Sequence, residues 1–72
     1  MTLMNTLDAV ATYTKISSSE VLITVDYPNG QFGMERVTKP LLGSLYEAAY
    51  NAASIKAKIQ GFRLGRFSRE GS

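Results

Sequence analysis

Val21-Leu22-Ile23-Thr24-Val25-Asp26-Tyr27 followed by Pro28-Asn29-Gly30 is the stretch that most narrows what this chain can become. Its residues are β-branched or aromatic and alternate in polarity, the pattern of a half-buried strand. Pro28-Asn29-Gly30 is a turn signal, because Asn and Gly tolerate positive φ. Gln31–Thr38 then reads as a returning strand. Polarity suggests the register. With Tyr27 opposite Phe32, Val25 opposite Met34 and Leu22 opposite Val37, the residues Val21, Ile23, Val25, Tyr27, Phe32 and Met34 share one face. A slip of one residue places Phe32 and Met34 opposite Asp26 and Thr24 and splits that set. The preferred loop is therefore even, either Asn29-Gly30 alone or Pro28–Gln31.

Upstream, Ala9–Ile16 has strand character centred on Thr12-Tyr13-Thr14, and Ser17-Ser18-Ser19 supplies the turn into the next strand. Leu3, Leu7, Val10 and Ala11 keep helical spacing, so a helix over Leu3–Tyr13 competes. Met1–Asp8 stays open, with a short helical turn as one option. If sheet order follows the sequence, Thr12-Tyr13-Thr14-Lys15 is an edge able to pair with another chain.

Downstream, Pro40 suits a first helical turn. Ser44 and Glu47 have capping-box spacing, which would move the start to Leu45. Leu41, Leu45, Ala48, Ala52, Ile55 and Ile59 form a continuous helical stripe. Ala48, Ala49, Ala52 and Ala53 make a shallow surface that can lie close on a sheet. Gly61 suits the position after the helix, and Lys56 and Lys58 complement its dipole. Phe62–Ser68 has β character interrupted by Gly65, and Gly61 and Gly65 mark a hinge region.

The expected fold is α+β: a three-stranded antiparallel meander over 9–38, one long helix over 40–60 on its inner face, and a basic C-terminal strand or tail over 61–72. A strand after the helical crossover would run parallel to the third strand, at a sheet edge. Seventy-two residues make a single domain. A chain of this size removes only about 60% of its exposable surface from water on folding, so stability is marginal and association would help. Its 44% apolar content argues against disorder. There is no Cys to staple the fold. The start of the chain lacks the cation and apolar core of a signal peptide, and no apolar run reaches the roughly 20 residues that span a bilayer. A soluble, cytoplasmic protein is the expectation, with no membrane partner.

Charge is unevenly distributed. Residues 56–72 carry five cations (Lys56, Lys58, Arg63, Arg66, Arg69) against Glu70, a net +4, whereas residues 1–55 carry three cations against five acids, a net −2. The whole chain is only +2. A near-neutral body with a basic end should meet acidic partners through that end.

An enzyme is not expected. His and Cys are both absent, which removes the commonest general base, metal ligand and activated nucleophile. Gly61-Phe62-Arg63-Leu64-Gly65 follows a helix and does not precede one, so it is no phosphate loop. Asp26 and Glu35 are the one carboxylate pair placed together, on the outer face of the hairpin, where solvated charges are the ordinary outcome. No metal or cofactor is expected.

Two surfaces remain as candidates. One is the C-terminal segment, with Lys56, Lys58, Arg63, Arg66, Phe67 and Arg69, which mixes arginines with a ring as interface anchors do. The other is the sheet face bearing Glu20, Leu22, Asp26, Glu35 and Val37, an acid-rimmed apolar spot. The expected function is a non-enzymatic protein-interaction module, an assembly or modulator subunit whose partner is another protein or a second copy. The alternative is nucleic-acid binding through the basic segment, for which +2 is a low charge. Small proteins without catalytic residues are common among accessory proteins of phages and mobile elements.

Overall fold

The computed structural model describes residues 8–70. Its elements are β1 (Ala9–Ser17), β2 (Glu20–Asp26), β3 (Phe32–Thr38), α1 (Leu45–Ile59) and β4 (Leu64–Arg69). The strands form one mixed sheet in the order β3-β2-β1-β4. The first three pair antiparallel, and β4 pairs parallel with β1. The meander and the single helix are as expected. The C-terminal segment is a full strand, parallel to the third and at an edge, as a crossover requires. It pairs with Thr12 and Tyr13, so those two residues are not an edge, whereas Thr14 and Lys15 lie beyond its last paired residue. The strand reading of residues 9–16 holds against the helical one, and the proposals for Met1–Leu7 lie outside the described residues.

The hairpin register departs from the polarity argument. Asp26 pairs with Phe32, Thr24 with Met34 and Val21 with Val37, the slipped register. The loop explains it. The Tyr27 N–H donates to the Gln31 carbonyl at 2.9 Å, and the Gly30 N–H donates to the Tyr27 carbonyl at 3.1 Å. Pro28-Asn29-Gly30 is thus a three-residue loop, with Gly30 at φ 90°, and Asn29 Oδ1 accepts from the Gln31 N–H at 3.1 Å. Three-residue loops with a left-handed last residue are a standard hairpin connection, and their odd length moves the register by one.

The slip puts Gly33, Glu35 and Val37 under the helix and turns Phe32, Met34 and Arg36 outward. The inner face tolerates this because its neighbours fill the gaps. Gly33 leaves room for Tyr27, whose hydroxyl would stand 3.2 Å from a β-carbon there. Glu35 pairs with Lys56 of the helix, Nζ to Oε1 3.7 Å.

The helix starts at Leu45, not at Pro40. Ser44 is its N-cap, its Oγ accepting from the Glu47 N–H at 3.0 Å. Gly61, at φ 86°, follows the Gln60 cap. The buried helical residues are Ala49, Ala53 and Ala57. The expected stripe is rotated, since Ile55 and Ile59 are exposed and Leu45, Ala48 and Ala52 flank the contact. Alanines at the contact let the helix lie close to Ile23 and Val25, the largest fully buried side chains. The rotation also brings Tyr46 and Tyr50 onto Phe67, with ring centroids at 5.4 and 5.5 Å, and Lys56 onto Glu35.

Gly65 is no hinge. The β1–β4 register steps from Ala9↔Leu64 to Val10↔Arg66, leaving Gly65 as the extra residue of a bulge. A β-carbon there would stand 2.5 Å from Asp8 Cβ, and Asp8 itself is held by Arg63, Nη2 to Oδ2 3.2 Å. Gly65→Ala must therefore displace Asp8. We expect it to cost about 1–3 kcal/mol in urea denaturation; a loss of only a few tenths would mean that Asp8 moves freely.

Candidate interaction surface

One helix covers one face of a four-stranded sheet. Among the described residues nothing covers the other, and the register specifies its composition. Across β3, β2, β1 and β4, Phe32 lies beside Asp26, Val10 and Arg66. The next row is Met34, Thr24, Thr12 and Ser68. The third is Arg36, Leu22 and Thr14, continued by Glu70, whose Oε1 accepts from Thr14 Oγ1 at 3.1 Å. The fourth is Thr38 and Glu20, with Ile16 at the irregularity between Lys15 and Ser17.

Four large apolar side chains stand open on this face: Phe32 is 64% exposed, Met34 52%, Ile16 47% and Val10 40%. Singly exposed apolar residues are normal on a surface; several on one flat, otherwise threonine-rich face form a patch. Its charges are mixed, with Glu20, Asp26 and Glu70 against Arg36 and Arg66. Arg36 Nε lies 3.5 Å from Glu20 Oε2, an exposed pair worth under about 1 kcal/mol.

The structure divides the residues singled out in the sequence. Glu20, Leu22 and Asp26 lie on the open face as expected. Glu35 and Val37 do not: the slipped register turns both under the helix, where Val37 is buried beside Val21. Asp26 and Glu35 are therefore on opposite faces and form no carboxylate pair. Phe32, Met34 and Arg36 take the vacated places. The signal that could have found them is Pro28-Asn29-Gly30 read as a three-residue loop.

The basic segment is dispersed in the same way. Lys56 is paired with Glu35, and Arg63 with Asp8. Arg66 joins the open face beside Val10, whereas Arg69 lies opposite Tyr13 on the helix side. Lys58 and Arg63 border a shallow hollow of about 240 Å³ with Ser54, Phe62 and Leu64. Phe67 is no free docking ring. It stacks on Tyr13 at 5.1 Å and meets Tyr46 and Tyr50 edge-on between helix and sheet. Phe62 stacks on Tyr27 at 6.0 Å. The five cations thus face several directions and form no continuous basic stripe.

Among the described residues, no buried polar or charged side chain occurs and no three potential metal ligands cluster. No described helix is long and apolar enough to cross a membrane. In comparisons with known proteins, no family model, curated protein or solved structure matches the chain.

Proposed function

We propose that this chain is a non-enzymatic protein-interaction module that docks through the open face of its sheet. The exposure of Phe32 and Met34 beside Val10, on a face with its own rim of charges, is the observation that carries this reading. Aromatic and Met side chains are enriched at interface centres, with charges at the rim. The mixed sign of that rim suits a protein partner better than a phosphate backbone, and the scattering of the C-terminal cations removes the strongest support for nucleic acid.

The test compares wild type with a Phe32→Glu, Met34→Glu double variant and with an Ile55→Glu, Ile59→Glu control on the solvent side of the helix. Both variants should unfold within about 0.5 kcal/mol of wild type, since they alter exposed positions. A partner retained by wild type, purified and titrated by calorimetry, should bind the sheet variant at least about 30-fold more weakly, the loss typical of a hot-spot aromatic. The helix control should bind normally. Undiminished binding by the sheet variant overturns the reading. So does a shift of single- or double-stranded nucleic acid at low salt that Arg63→Ala, Arg66→Ala and Arg69→Ala together abolish, which would establish the alternative.

A further inference from the structure

The charges of the open face are arranged with a symmetry that bears on its partner. In the row of Phe32, the β3–β2 half carries Asp26 and the β4 half carries Arg66. In the row of Arg36 the signs are exchanged: the β3 half is positive and the β4 half, with Glu70, is negative. These two of the four rows, with the Met34 row uncharged and Glu20 of the fourth row paired with Arg36 within the chain, are complementary to themselves when the face is turned about a line parallel to the strands. That operation preserves rows and exchanges β3 with β4 and β2 with β1.

We propose that the partner on this face is a second copy of the chain, stacked sheet to sheet about a two-fold axis that runs in the interface roughly along the strands. The inference rests on reading this face as the interaction surface, and adds the occupant and its orientation. Arg36 of each copy then meets Glu70 of the other, and Arg66 of each lies over Phe32 and next to Asp26 of the other. An arginine over a ring with a carboxylate beside it combines a cation–π contact with an ion pair. Aligned sheets pack about 10 Å apart and cross at about 30°, and Arg and Glu are long enough to span the small offsets this creates. The other two-fold arrangement, with the axis across the strands, exchanges rows. It would bring Asp26 of one copy over Glu20 of the other, and like charges in an interface are strongly unfavourable.

The size of the face sets the expected strength. Four strands spaced about 4.8 Å apart and about seven residues long give roughly 450 Å² of projected face per copy. The pair buries roughly 900 Å², below the roughly 1,000 Å² that a stable specific interface clears and in the range of weak, transient contacts, so a weak micromolar dimer is expected and not an obligate one. The contact is isologous and closes at two copies.

The experiment is sedimentation equilibrium of the full chain across a wide concentration range, with circular dichroism to confirm that each variant is folded. Wild type should pass from monomer to dimer in the micromolar range. Arg36→Glu and Glu70→Arg should each weaken the dimer about tenfold or more by placing like charges together. The two changes combined should return it to within about threefold of wild type. A wild type that is monomeric throughout overturns the inference, while leaving a different partner on the same face to be found by the titration described above. A dimer indifferent to Phe32→Glu overturns it as well, because the contact would then lie elsewhere. Single variants that weaken the dimer without mutual rescue overturn the proposed orientation.

Discussion

Val25→Asp is expected to abolish the folded state, while Thr24→Asp, one residue away, is expected to cost under about 1 kcal/mol. Val25 is fully buried on the inner face, between Ala11 of β1 and Gly33 of β3. Lys56 Nζ, which would stand 3.7 Å from a β-carbon at the neighbouring Gly33, is already paired with Glu35, so the new carboxylate would be desolvated with at most a shared cation, or folding would require its protonation. Either route costs several kcal/mol. A domain of this length has roughly 4–11 kcal/mol of total stability, so the loss takes most or all of it. Thr24 points the other way, between Thr12 and Met34, where a carboxylate stays hydrated. Urea titrations followed by circular dichroism separate the two outcomes. A cooperative transition for Val25→Asp near that of wild type would mean that the helix does not cover this strand.

The contrast between these neighbours was legible in the sequence, because β2 alternates cleanly and its inner set is the same in either register. The architecture was legible for the same kind of reason. Val21–Tyr27 could only be a strand, Ser44 and Glu47 mark a helix start, and a strand after one helical crossover has few places to go. Less of the interaction surface was legible. Its composition depends on the register of β3, and there two signals disagreed. The polarity of Phe32 and Met34 argued one way, and the loop chemistry of Pro28-Asn29-Gly30 the other. Loop geometry prevailed: Tyr27 and Gln31 close a three-residue loop with Gly30 at its left-handed last position, and the inner face could accept Gly33 and Glu35 once Tyr27 and Lys56 filled the space. An inward Glu is unusual, and no local pattern announces that a helical Lys will stand over it. The helix rotation was hidden for a similar reason. Ile55 and Ile59 are the more apolar residues, yet close approach to a sheet rewards Ala49, Ala53 and Ala57 through fit and not through side-chain size. The self-complementary charges were also invisible in the chain, since they exist only once β4 is set beside β1.

Removing residues 65–72 is expected to unfold the protein, the opposite of what a free basic tail would predict. The deletion takes nearly all of β4, and with it the parallel pairing that covers β1 from Val10 to Tyr13. It also removes Phe67 from beneath Tyr13, Tyr46 and Tyr50, the ring cluster that joins the helix start to this edge of the sheet. Ala9 and Ala11, fully buried in the intact chain, would then lie on an exposed edge strand that invites pairing between molecules. Loss of the native circular dichroism spectrum, together with aggregation, is the expected result. Phe67→Ala isolates the packing part. Full burial would put its cost at about 3–5 kcal/mol; Phe67 is half-buried, so about 2–3 kcal/mol is expected from urea titration. Arg66→Ala, on the same strand but facing outward, should change stability by under about 0.5 kcal/mol. A truncated chain that kept a native spectrum and a sharp transition would show β4 to be dispensable. Phe67 and its arginines would then be free to serve as a docking tail, and the open sheet face would lose both Arg66 and Glu70, on which its proposed symmetry depends.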